Sequence, residues 1–131
     1  MKPTPTLAID TIYDAYLAAL TEGRLMLQVC ACGHRWLPPR EACPACLTTR
    51  WTWQPASGNG RLKSWVVYHV AFHDSFRDRL PYNVALVELE EGPRMITNVL
   101  GDDARLAAEA AVRFVPSREG DRTIARFELV S

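Results

Sequence analysis

The chain has 131 residues, 48% of them hydrophobic and 23% charged, and its 15 Lys plus Arg balance 15 Asp plus Glu to a net charge of zero. That length and balance describe one ordinary domain, or two very small ones sharing a core, and they exclude a protein held to a polyanion by a general cationic excess. No apolar run approaches the roughly 20 residues that cross a bilayer, and the first residues carry acids where a secretory signal is apolar, so a cytoplasmic protein without a membrane segment is expected.

The zero is a sum of unlike parts. Residues 1–23 hold one base and three acids (net −2), residues 24–63 six bases and one acid (+5), and residues 64–131 eight bases and eleven acids (−3). Residues 1–23 read as an N-terminal helical segment. Ile9, Ile12, Tyr13, Tyr16, Leu17 and Leu20 recur at three- and four-residue steps from Leu7 to Leu20, which is the stripe of an amphipathic helix, and Gly23 supplies a stop. A helix this short is marginal alone, so the stripe must pack on the rest of the chain or on a partner.

Residues 24–56 differ in kind. They hold all four cysteines, Cys30, Cys32, Cys43 and Cys46, in the run CACGHRWLPPREACPAC, and too few aliphatics to fold unaided. Two close pairs with ten residues between them are the usual sign of a four-thiolate zinc ribbon, each pair on a tight knuckle. Gly33 and Pro44 suit such turns. One spacer between Cys30 and Cys32 is shorter than the usual two to four, so a bend is required there. Structural zinc is favoured because metal binding supplies the folding free energy that the segment lacks. Disulfides and a metal-free redox cluster are the competing readings, and four thiolates leave no open position for a catalytic ion. His34 is a spare ligand or, more plainly, a solvent-facing neighbour of the knuckle.

Residues 57–131 are rich in β-formers: runs at 61–72, 82–91, 94–101, 110–117 and 123–131 alternate with turn signals such as Ser57-Gly58-Asn59-Gly60 and Glu91-Gly92-Pro93. Five strands in about seventy residues suggest a small closed barrel. Residues 103–111, DARLAAEAA, have the composition of a short helix; a strand-linking loop is the alternative. Trp51 and Trp53 share strand parity and are expected to cover one side of the ribbon-to-barrel junction. Lys63 and Trp65 likewise share a face if RLKSWVVY, residues 61–68, is a strand.

Several stretches, in this order, carry a family likeness: Gly23-Arg24-Leu25 and Gln28, Cys32-Gly33-His34, Pro38-Pro39-Arg40, Cys43-Pro44-Ala45-Cys46, Ser57-Gly58-Asn59-Gly60, Pro81-Tyr82 and ALVELEEG. The chain resembles the small bacterial and archaeal proteins that join an N-terminal helix, a rubredoxin-like zinc ribbon and an OB-fold, the acyl-CoA-associated zinc-ribbon/OB-fold family. The resemblance implies a mainly β fold with a five-stranded OB barrel. It also implies one structural zinc ion on Cys30, Cys32, Cys43 and Cys46, and a non-catalytic accessory subunit. Partners in that family are thiolase-like enzymes, acyltransferases, hydratases or aldolases, with a homodimer inside a hetero-oligomer as one arrangement and acyl-CoA as a candidate ligand.

A site for coenzyme A wants cations beside an aromatic or apolar channel. The basic middle of the chain offers Arg35, Arg40, Lys63 and Trp65, each with a plainer role in packing or ion pairing. Phe72, Phe76 and Tyr82 are the candidate partner anchors, because aromatics dominate interface hot spots. Two other classes compete. A single-stranded nucleic-acid binder would use the basic island and its tryptophans as a stacking platform, but the acidic barrel segment opposes it. An enzyme would use His69, His73 and Asp74, or Ser64 or Ser75, but no nucleophile elbow or zinc-protease helix surrounds them.

Overall fold

The structure is a computed structural model and describes residues 8–69 and 82–130. Helix α1, Ala8–Thr21, ends in a Schellman turn: Gly23 at φ +84° sends its N–H to Leu20 O (2.9 Å) while Arg24 N–H reaches Ala19 O (2.9 Å). Its buried face is Tyr16, Ala19 and Leu20, and it packs chiefly on the last strand of the barrel. Burial, reinforced by Tyr13, pushes the Tyr16 phenol up to about 12.

The ribbon is a three-stranded antiparallel sheet, β1 (Met26–Cys30), β2 (Arg35–Trp36) and β3 (Trp51–Pro55), with β1 in the centre. The barrel follows as β4 (Asn59–Tyr68), β5 (Tyr82–Leu89), β6 (Arg94–Thr97), β7 (Val99–Leu100), β8 (Ala111–Glu119) and β9 (Arg122–Leu129). β4, β5 and β6 form a meander, β8 and β9 a hairpin, and β8 also pairs with the start of β4. β7 runs parallel to β9, which closes the sheet around the interior. The expected five strands are all present; the third is broken in two at Asn98. There the Asn83 side chain replaces the backbone ladder, donating to Val99 O (2.7 Å) and accepting from Val99 N (2.8 Å). Asn98 itself donates to Asn83 O and accepts from Arg126. The interior polar groups that the break exposes are thereby paired.

Three expectations change. Residues 103–111 do not form a helix: a single 3-10 turn, Asp103–Arg105, capped by the Asp102 carboxylate, gives way to a loop in which Glu109 takes φ +64°. Gly60 is not a turn residue but lies inside β4. A Cβ there would stand 2.8 Å from Glu88 O, so only glycine allows β4 and β5 to approach. Finally, Lys63 and Trp65 do not share a face, because a β-bulge intervenes: Leu62 pairs with Val87 and Ser64 with Leu86, leaving Lys63 without a backbone register partner on β5. Leu62 and Trp65 therefore both pack on the core, and Lys63 stands off it.

One core runs through all three segments, from Tyr16 and Leu20 of the helix through Leu25, Leu27 and Leu37 of the ribbon to Leu62, Val87, Val112 and Phe127 of the barrel. Trp53 packs on this core, whereas Trp51 joins Trp36, Cys30 and Cys43 in a smaller cluster; the two indoles meet edge to face at 5.3 Å. The expectation that both indoles cover the junction therefore holds for Trp53, whereas Trp51 packs within the ribbon. Among the described residues no helix is long and apolar enough to cross a membrane.

Candidate metal centre

β1 ends on Cys30, and the chain turns at once. Gly33 N–H closes the first knuckle on Cys30 O (2.8 Å), Cys30 N–H takes His34 O (2.9 Å), and Gly33 holds φ +95°. This is the bend that the single spacer demands. The second knuckle is built from Cys43 N–H to Thr48 O (2.9 Å) and Leu47 N–H to Cys43 O (2.8 Å). Each knuckle directs an amide toward sulfur, Cys32 N to Cys30 Sγ (3.5 Å) and Ala45 N to Cys43 Sγ (3.4 Å).

The four Sγ atoms lie within 4.8 Å of one another, with Cys30–Cys46 at 3.4 Å and Cys32–Cys43 at 3.8 Å. A tetrahedral zinc with Zn–S bonds of about 2.3 Å has sulfur–sulfur edges of about 3.8 Å, so the donor set fits that ion. The disulfide alternative does not fit: these separations are well beyond the roughly 2.05 Å of an S–S bond. The shortened first pair reaches the same centre as the second. His34 lies exposed, stacked on Trp36 at 5.9 Å, and is not among the four ligands.

The two buried thiols are displaced in opposite directions. Burial raises Cys43, but the Cys46 and Ala45 amides and neighbouring sulfurs outweigh it and lower the thiol to about 7. The Cys32 amide pulls Cys30 down, yet burial and the surrounding thiols push it up to about 12. A dication that displaces these protons removes the conflict, which couples metal binding to folding.

The loop carrying the second knuckle is clamped from outside the cysteines. Gln28 is fully buried in β1, and its amide makes two hydrogen bonds to the backbone of Arg40: Nε2 to Arg40 O (2.7 Å) and Arg40 N to Oε1 (2.8 Å). Trp51 Nε1 donates to Glu41 O (2.7 Å). The supporting role of Gln28 escapes a reading of residue types, although a glutamine at a buried position of an apolar strand is a usable signal.

The other candidate residues fall in separate places. Arg35 is exposed on β2 and donates from Nη1 to Glu91 O (3.4 Å). Arg40 is held by its backbone, and its side chain has no carboxylate partner among the described residues. Lys63 is paired with Glu109 (2.6 Å) and Glu88 (3.8 Å), and Glu88 also pairs with Arg94. Trp65 packs on the core. Tyr82 opens β5 and stacks on Tyr68 at 5.1 Å. Phe72 and Phe76, with His73, Asp74 and Ser75, lie outside the described residues, so the candidate interface is seen only at Tyr82 and the acid–base reading only at exposed His69 and Ser64.

Two family models match in succession, one described as "ChsH2, rubredoxin-like zinc ribbon domain" over residues 17–52 and one as "ChsH2, C-terminal OB-fold domain" over residues 53–115. The chain belongs to the ChsH2 (DUF35) family of zinc-ribbon/OB-fold proteins. It is similar to a chain of the solved "Ltp2-ChsH2(DUF35) aldolase" with a TM-score of 0.81 and 31% identity, covering 95% of this chain and 98% of that one. A DUF35-family protein of unknown function from Sulfolobus solfataricus shares the fold at TM-score 0.66 and 13% identity, over 89% of this chain and 84% of that one. Among curated proteins, a "probable enoyl-CoA hydratase alpha subunit" from Thermomonospora curvata is 37% identical over 102 residues, 77% of this chain and 31% of that protein. A "DUF35 domain-containing scaffold protein" from Methanocaldococcus jannaschii is 39% identical over 70 residues, 53% of this chain and 49% of that protein. The chain thus spans about a third to a half of the length of these two curated relatives.

Proposed function

We propose that the chain is a non-catalytic accessory subunit of a CoA-thioester enzyme, an aldolase, hydratase, acyltransferase or thiolase-like partner, and that one structural zinc ion holds its ribbon. The observation that carries this reading is the match along 98% of a chain from the Ltp2-ChsH2(DUF35) aldolase. The names of the hydratase subunit and of the scaffold protein point the same way. In this role zinc shapes a surface and does no chemistry, since four thiolates complete its tetrahedron. The ligand we propose for the assembly is acyl-CoA. Of the four candidate residues, exposed Arg35 and Arg40 have no carboxylate partner among the described residues and keep donors for a phosphate, whereas Glu109 and Glu88 neutralise Lys63 and the core takes up Trp65.

The test is co-purification of the full chain from its native host, with the bound proteins identified by mass spectrometry. A CoA-thioester enzyme is expected in stoichiometric amount and retained in high salt, as apolar contact predicts. Recovery of the chain alone, or of nucleic acid that leaves as salt rises, would overturn the proposal.

A further inference from the structure

The two knuckles end differently. In each, the residue after the second cysteine takes a left-handed backbone conformation, Gly33 at φ +95° and Leu47 at φ +66°. Glycine adopts that conformation freely, whereas a leucine seldom does, because its Cβ crowds the following carbonyl. Leu47 gains nothing from burial in exchange: it is 76% exposed, the most exposed large hydrophobic residue described. A strained backbone that displays an apolar side chain to water is unfavourable for the isolated chain on both counts. Strain of this kind concentrates where a protein meets something else.

The loop is also held rigid. Gln28 and Trp51 fix it at Arg40 and Glu41, Cys43 exchanges hydrogen bonds with Leu47 and Thr48, and Arg50 N–H rests on Thr48 Oγ1 (3.2 Å). Leu47 is therefore presented with little ordering left to do on contact, which is the condition for an efficient anchor. Pro44, Ala45 and Cys46 are exposed beside it, so Leu47 stands out on the surface and does not line an enclosed site of the kind that takes a small molecule. It suits insertion into a pocket on another protein. The charge around it selects the rim of that pocket: Arg40 and Arg50 bound the loop, neither has a carboxylate partner among the described residues, and Glu41 is the loop's one acid.

We infer that the second zinc knuckle is a docking anchor, in which Leu47 enters an apolar pocket of the partner protein and Arg50 meets carboxylates at that pocket's rim. This rests on the accessory-subunit reading and locates its contact on the ribbon. The test places a photo-cross-linking phenylalanine at position 47 of the full chain and, in parallel, at position 66, where exposed Val66 marks the outer face of the barrel. Expected is a dominant adduct from position 47 whose partner peptide combines apolar residues with Asp or Glu, with its yield at least fivefold lower in an Arg50→Glu background. An adduct from position 66 alone overturns the knuckle assignment and leaves the accessory-subunit reading standing. No adduct from either position overturns both. An adduct at 47 that Arg50→Glu does not weaken overturns the charged rim. Leu47→Gly separates docking from folding: its melting temperature should equal or exceed that of the parent while retained partner falls at least tenfold, and a fall in melting temperature with full retention would overturn the inference.

Discussion

In the barrel, Leu62, Val87, Val112 and Phe127 are buried to the last percent and strand pairing runs on almost every side; between residues 40 and 50 of the ribbon only Cys43 is buried. The barrel is held by apolar area, a ribbon loop of eleven residues by four sulfurs and a few hydrogen bonds to backbone. The first kind of order is spread over many residues and yields gradually to substitution. The second is concentrated in a handful of atoms, and losing one of them releases the whole loop. That division suits a protein whose barrel gives a stable platform and whose ribbon offers a shaped surface.

Removing the metal should part the two regions most widely. Cys43→Ser, or chelation, should abolish zinc binding, measured as about one ion per chain by elemental analysis, and free the loop, since structural zinc sites supply on the order of 10 kcal/mol. Hydrogen exchange should then show residues 40–50 unprotected while the β8–β9 hairpin stays protected. Equal loss in both regions would mean that they fold as one unit. Next comes Phe127→Ala, which opens a cavity in the barrel and should cost about 3–5 kcal/mol by denaturant titration while the folded fraction keeps its zinc.

Gln28→Ala removes both hydrogen bonds to the Arg40 backbone and leaves a gap at a fully buried position, and should cost about 2–3 kcal/mol; its particular mark is faster transfer of zinc to a competing chelator, with the barrel's exchange pattern unchanged. The smallest effect belongs to Glu109. Its hydrogen bond and charge pairing with Lys63 hold the carboxyl below the usual carboxylate range. A depressed folded value means that this contribution is complete above the unfolded carboxylate pKa and is lost as pH falls through the folded one. The denaturation midpoint should therefore drop in acid, and Lys63→Met should flatten that part of the pH profile.

Much of this was legible in the residues. The cysteine spacing points to the metal centre, the 3.6-residue stripe to helix α1, and the alternating runs to the barrel strands, because each is a local pattern with one physical cause. What escaped depends on contacts between distant segments. Asn98 breaks a run that reads as continuous strand only because Asn83 and Arg126 wait for it across the barrel. Residues 103–111 have helix-forming composition, but Glu109 N–H is taken by Leu62 O (2.7 Å), a strand partner that composition does not reveal. Gln28 reads as one polar residue in an apolar strand until the loop it clamps is in place.

The bulge at Lys63 bears on how this strand tolerates changes in length. Leu62 and Ser64 pair with adjacent residues of β5, so Lys63 is the supernumerary residue of its strand. A deletion elsewhere in β4 would throw every following side chain onto the opposite side of the sheet. Excising Lys63 alone would leave Leu62 and Trp65 facing inward and Ser64 outward, in phase with β5. What the strand would surrender is its local bend and the lysine that answers Glu109, so one residue carries both the curvature of the strand at that point and its ion pair.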